Sequence, residues 1–182
     1  MTKHLSLTTL IHHYQTEFEE EVNFIDRFKA LLQEDYCFER KNLKAHFTGS
    51  CWVTNSQLDK VLLLHHAKLD RWLQPGGHAD GDQNLLSVAM KELSEETGIS
   101  TFENNPDSLF DIDIHTIPER KNVPEHEHFD ARFHFIVDEG LNLEINSESN
   151  ALKWISINDV IEMTNYEKSF ERMVRKTKEL VL

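Results

Sequence analysis

Residues 76–99, GGHADGDQNLLSVAMKELSEETGI, constrain this chain more than any other stretch of it. Paired glycines open the segment and Gly98 closes it. Between them Glu92, Glu95 and Glu96 fall on a run with helical periodicity. At about 100° per residue, positions i, i+3 and i+4 share one face, so the three carboxylates occupy one arc. Leu86, Ala89, Met90, Leu93 and Thr97 take the adjoining arc and are expected to be buried. Like charges at this spacing cost roughly 0.2–0.5 kcal/mol per pair in an isolated helix. Taken alone, such a row is more often a solvated face. Hard oxygen donors beside a packed face also suit a divalent cation, Mg²⁺ or Mn²⁺.

The wider pattern reads Gly77-x5-Gln83-x7-Lys91-Glu92-Leu93-Ser94-Glu95-Glu96-Thr97-Gly98-Ile99. It resembles the Nudix box, Gly-x5-Glu-x7-Arg-Glu-aliphatic-x-Glu-Glu-x-Gly-aliphatic. Gly77, Glu92, Leu93, Glu95, Glu96, Gly98 and Ile99 match it. Two positions depart from it: Gln83 replaces a glutamate and Lys91 an arginine. Glutamine is neither a base nor an anionic ligand. Nearby Asp80 and Asp82 replace its charge in part, but not its geometry. Lysine keeps the positive charge without the planar fork that holds two carboxylate oxygens. The expectation is a looser surround for the glutamates, with weaker metal affinity or slower turnover.

The resemblance extends over about residues 45–163, through HFTGSCWVTN, VLLLHHAKLDRWLQPGGH and DIDIHTIPERKNVPEHEHFDARF. It implies an α/β fold, a Nudix-like α/β/α sandwich with a mixed β-sheet. It also implies a metal-dependent hydrolase that cleaves a pyrophosphate bond in a nucleoside diphosphate linked to another moiety. On this reading Glu92, Glu95 and Glu96 hold Mg²⁺ or Mn²⁺, and Glu95 and Glu96 also serve the chemistry. A further carboxylate often comes from a loop ahead of the last strand. Glu148 is the candidate here, with Glu144 behind it, and an exposed loop acid in NSESN is the plain alternative. Phosphate contacts fall to Arg71, Gly77, His78 and Arg132, with Lys68 and Lys153 as weaker choices. For each cation a surface salt bridge competes with ligand contact. Trp72 suits a base or the core. Because of Gln83 and Lys91, the competing function is a nucleotide-binding module that kept the pocket and lost the chemistry.

With 182 residues, 39% of them hydrophobic, the chain suits one compact domain. Its formal charge of −13 argues against passive binding to nucleic acid or anionic membrane. A phosphorylated small molecule would need local compensation by metal and a few basic side chains. No apolar run is long enough to span a membrane, and the opening MTKHLSLTTLIHHYQ lacks a signal-peptide core. Cys37 and Cys51 read as free thiols, and a cytoplasmic setting is expected.

The first forty or so residues read as helical, with Thr8 or Thr9 as a cap and Phe18, Val22, Ile25, Phe28 and Leu32 as a packing stripe. Residues 1–44 are therefore expected to form a helical extension packed on a main domain of 45–182, or on a partner subunit as a homodimer. From residue 45 the period becomes two. Phe47, Gly49, Cys51 and Val53 alternate with Thr48, Ser50, Trp52 and Thr54. Further strands are expected over 61–64, 71–73, 109–116, 131–137 and 152–157, with a break at Pro75-Gly76-Gly77. Gly98 sits where a left-handed helix cap belongs. Helices close the chain over 158–163 and 166–180.

Eleven histidines remain. His126, His128 and Asp130 alternate on one side of an extended segment, and with His115 they could complete a zinc or iron site. A hydrogen-bonded pocket rim, shared with His65, His66, His78 and His134, is the plainer reading. His4, His12 and His13 read as surface residues.

Overall fold

A computed structural model describes residues 5–120 and 122–181; His4 lies outside them. In chain order the elements are α1 (Leu7–His13), α2 (Glu19–Leu31), β1 (Ala45–Thr54), β2 (Lys60–His66), β3 (Arg71–Leu73), β4 (Gly76–His78) and α3 (Leu85–Thr97). Then follow β5 (Glu103–Asn104), β6 (Asp111–Ile117), β7 (His126–Ile136), β8 (Ser149–Ser156), α4 (Val160–Met163) and α5 (Lys168–Glu179). The result is the α/β arrangement of helices and a curled sheet that the resemblance implied. The chain divides into two compact units. The first takes Met1–Ser50, Gly76–Ala89 and Asn105–Phe133, and the second Cys51–Pro75, Met90–Asn104 and His134–Leu182.

In the first unit β4 pairs antiparallel with β1 (Thr48↔His78, Gly49↔Gly77, Ser50↔Gly76), and β6 pairs antiparallel with β7 from Asp111↔Arg132 to Ile117↔His126. The Pro-Gly-Gly run thus makes a strand where a break was expected. A Cβ on Gly76 would lie 2.2 Å from Ser50 Oγ, so only glycine lets the two backbones pair there. β1 is buried at every position rather than alternately. Its Phe47 packs under Phe28 of α2, with ring centroids 5.5 Å apart. On its other face the hydroxyls of Thr48 and Ser50 donate to Asp130 Oδ1 at 2.8 and 2.7 Å. Polar side chains can face inward where they are paired.

The N-terminal helices depart from the expected stripe. Val22 is 52% exposed, while Glu21 beside it is fully buried. The Glu21 carboxylate accepts from Tyr14 Oη (2.6 Å), Thr16 Oγ1 and the Ile112 amide of β6 (3.2 Å). A β-strand amide and two hydroxyls satisfy the carboxylate, so α2 turns this residue inward. Ser6, not Thr8 or Thr9, caps α1. Its extended backbone brings Oγ to the Thr9 amide at 3.2 Å.

In the second unit β2 pairs with β3 and β8, and Thr54 at the end of β1 pairs with Val61. The apolar run Val61–Leu64 is at most 1% exposed, as a central strand requires. β5, unforeseen from the sequence, pairs with the end of β7. Trp52 is buried against Phe170 of α5 and donates its indole N–H to Thr177 Oγ1 at 2.7 Å. Cys37 and Cys51 are buried thiols outside any disulfide.

Candidate active site

Asn84 caps α3 by accepting from the Ser87 amide at 3.2 Å. At the other end Gly98 has φ +75° and its amide donates to the Ser94 carbonyl at 2.9 Å. The helix therefore stops where the left-handed cap was expected. Along its second half Leu93 and Thr97 are fully buried, Glu96 is 7% exposed, Glu92 is half-buried and Glu95 is exposed. Lys91 Nζ reaches Glu95 Oε2 at 3.6 Å, a contact at one point of the carboxylate.

A loop ahead of β8 is fastened to this helix end. The Glu144 amide donates to the Thr97 carbonyl at 2.9 Å, and Asn146 Nδ2 donates to the Glu95 carbonyl at 3.2 Å. Asn146 Oδ1 accepts from the Glu148 amide at 2.9 Å, and the Glu148 carbonyl accepts from the Ala67 amide at 2.8 Å. Glu148 itself is exposed. Its backbone is thus anchored on both sides in a loop bound to the glutamate helix, which no sequence signal indicated. Oxygen donors alone, with one carboxylate drawn under the surface, fit a hard divalent cation and not a thiophilic one.

The basic candidates take different places. Arg71, on β3, is about half exposed and forms an ion pair with Glu167. Lys68 is exposed, and Lys153 Nζ lies 5.3 Å from the ring centre of Trp72, which is half-buried beside His65. Arg132 overturns its sequence reading as a phosphate contact. It is 3% exposed, and Nε donates to Asp130 Oδ2 (2.8 Å), Nη1 to Asp111 Oδ1 (3.1 Å) and Nη2 to Asp113 Oδ2 (3.2 Å). Three carboxylates enclose the guanidinium, so it serves the interior. Asp80 does not stand in for a glutamate at position 83 either, because Arg40 holds both its oxygens at 2.6 Å. Gln83 is exposed.

The histidines also regroup. His46, His78 and His128 bring ring nitrogens within 4.8 Å of one another. Asp130, expected with His126 and His128, instead receives Thr48, Ser50 and Arg132. Burial, reinforced by neighbouring cations and imidazoles, pushes His78 down to about 4 and His128 down to about 2, and lowers His46. His46 was missed because its place depends on strand register: β1 carries it one alternate position from Thr48, which pairs with His78.

A family model described as "NUDIX domain" matches residues 44–176. Among curated relatives, a probable DHNTP pyrophosphohydrolase of Lactococcus lactis subsp. cremoris (strain MG1363) is 34% identical over 77 residues, covering 41% of this chain and 45% of the relative. The match thus spans less than half of that relative's length. An asymmetrical bis(5'-nucleosyl)-tetraphosphatase of Rattus norvegicus is 23% identical over 116 residues, covering 64% of this chain and 76% of the relative. The crystal structure of a MutT protein from Methanosarcina mazei Go1 superposes with a TM-score of 0.61 at 16% identity, over 75% of this chain and 95% of that one.

Proposed function

The chain belongs to the NUDIX family, and on that premise we propose that it hydrolyses a pyrophosphate bond in a nucleoside diphosphate linked to another group, with Mg²⁺ or Mn²⁺. The observation that carries this reading is the carboxylate of Glu96, buried on the box helix one turn from half-buried Glu92. Glu92, Glu95 and Glu96 would hold the cation, which supplies Lewis acidity and offsets phosphate charge. The chain's own part is to bind, orient and accept a proton.

Water adds its oxygen to phosphorus, and the bridging P–O bond breaks with its electron pair leaving on the departing phosphate. The proton lost by water passes to a carboxylate, with Glu95, Glu96 and Glu148 as the candidates. The tether of the Glu144–Glu148 loop to α3 supports including Glu148. Within the second unit Arg71 would exchange Glu167 for a phosphate oxygen. With a formal charge of −13, phosphate binding depends on such local cations. Residues 1–44 serve in this proposal as an extension packed on the hydrolase domain of 45–182, or as a homodimer contact. The setting proposed is cytoplasmic, consistent with two thiols outside any disulfide. Among the described residues no helix is long and apolar enough to cross a membrane.

Release of phosphorylated products is to be measured over nucleotide sugars, ADP-ribose, dinucleoside polyphosphates, DHNTP and nucleoside triphosphates, with metal and with chelator. Glu95→Gln and Glu96→Gln are expected to lower kcat by about 10²-fold or more. Activity that survives both substitutions overturns the reading. A second reading, a nucleotide-binding module, draws on Gln83 and on the single-point contact from Lys91 to Glu95. There the natural protein is inert, and Gln83→Glu with Lys91→Arg awakens hydrolysis.

A further inference from the structure

The geometry points to a zinc site in the first unit, formed by the Nε2 atoms of His46, His78 and His128, with a fourth position left for water. None of the box glutamates takes part in it.

Three strands assemble the site. β1 brings His46, β4 brings His78 and β7 brings His128. His78 Nε2 and His128 Nε2 stand 3.2 Å apart. Ligands at tetrahedral zinc, with Zn–N bonds of about 2.0–2.1 Å, lie roughly 3.3 Å from each other. That pair already has the edge length of a zinc tetrahedron. A ring nitrogen of His46 lies within 4.8 Å of a ring nitrogen of each of the other two.

The tautomers point the same way. His46 Nδ1 lies 3.1 Å from the Asn42 carbonyl, which can only accept, so the Nδ1 proton is fixed there. In the neutral ring the Nε2 lone pair then faces inward. That atom is buried without a hydrogen-bond partner among the described residues, in a side chain 3% exposed. A buried acceptor with nothing to accept is costly, unless a ligand completes it. A metal-bound histidine whose other nitrogen donates to a carbonyl has the outer contact such ligands usually show.

Two more rings close around the three. His126 stacks on His46 with centroids 5.0 Å apart and donates Nδ1–H to the Pro124 carbonyl at 2.8 Å. His115, 5.4 Å from His128 by ring centroids, has Nδ1 at 3.1 Å from Asp113 Oδ2. Both therefore also direct Nε2 away from their anchors. Burial favours neutral imidazole at His46, His78 and His128, the form that binds metal. Imidazole nitrogens suit zinc, whereas Mg²⁺ prefers oxygen. Zinc here would clip β1, β4 and β7 together and fix the residue that follows Gly77 of the box.

The test measures zinc per chain by elemental analysis, after incubation with ZnCl₂ and dialysis, in the wild type and two variants. One variant carries His46→Gln with His128→Gln, and the other Glu92→Gln with Glu95→Gln and Glu96→Gln. One zinc per chain is expected in the wild type and in the glutamate variant. The histidine variant should bind zinc at least about 100-fold more weakly in competition with a chromophoric chelator, since even an outer contact is worth about 10–100-fold. Cobalt substitution of the wild type gives a second readout that needs no variant. Intense visible bands of four-coordinate Co²⁺ are expected. Weak octahedral bands, no zinc in the wild type, or zinc retained by the histidine variant and lost from the glutamate variant would each overturn the site.

Discussion

The first unit packs Asp111, Asp113 and Asp130 around Arg132, whereas the second carries Glu92, Glu95 and Glu96 along one helix. Each group has three carboxylates. The aspartates lie almost wholly out of water, are brought together by the β6–β7 register, and share a guanidinium that reaches all three. The glutamates follow one another in the chain and grade from buried to exposed. A carboxylate cluster closed around its own arginine is a device of folding. A graded row on a helix is what the proposed cation would require, since its carboxylates pass from the interior to the surface.

The largest effect expected from this contrast is on stability. Arg132→Met leaves three carboxylates in the interior without the guanidinium they share. Removing one side of a buried ion cluster costs about 3–5 kcal/mol, read as a lower urea midpoint. Glu95→Gln removes a charge that is largely in water, so its midpoint should move by less than about 0.5 kcal/mol while turnover falls. A mild loss in Arg132→Met, or a severe one in Glu95→Gln, would erase the distinction.

The same contrast explains what could be read in the sequence. The glutamate row, its buried flank of Leu93 and Thr97, and the Gly98 cap are local, set by helical period and backbone chirality. Each appears where the sequence puts it. Strand 61–64 was equally plain, because a continuous apolar run suits a central position. Arg132 was misread because its partners stand 2, 19 and 21 residues away, and only strand pairing unites them. His46 was missed for the same reason. Hydrophobic spacing placed Val22 inside, but a strand amide and two hydroxyls gave the interior to Glu21. Pairing with β1 turned Gly76 and Gly77 from an expected break into part of β4.

A middle-sized effect comes from a half-buried imidazole that stays neutral. His134 Nε2 lies 2.7 Å from Thr54 Oγ1, and burial pushes its pKa down to about 4. An unfolded histidine titrates near 6.5. Between those values the unfolded chain binds the extra proton, so stability is full above about pH 6.5 and declines as pH falls toward 4. His134→Gln should flatten that part of the profile, by at most about 3 kcal/mol at its acid end. Denaturation midpoints from pH 4 to 7, wild type against variant, isolate this residue from the other lowered histidines. Parallel profiles would mean that His134 takes up its proton equally in the folded and the unfolded chain.

The smallest effect belongs to Lys91, whose ammonium lies 3.6 Å from Glu95 with both side chains more than half exposed. An i, i+4 pair of this kind contributes about 0.3–0.5 kcal/mol and is screened by salt. Lys91→Ala should therefore lower stability by no more than about 0.5 kcal/mol, and the difference should vanish in 1 M NaCl. Lys91→Arg offers the carboxylate a planar fork in place of a point charge. If Glu95 must be held still to serve the cation, that variant raises kcat while the urea midpoint stays put. If instead Lys91→Arg moves stability and leaves turnover unchanged, the pair belongs with the aspartates as a folding contact, and the two carboxylate groups differ less than their surroundings suggest.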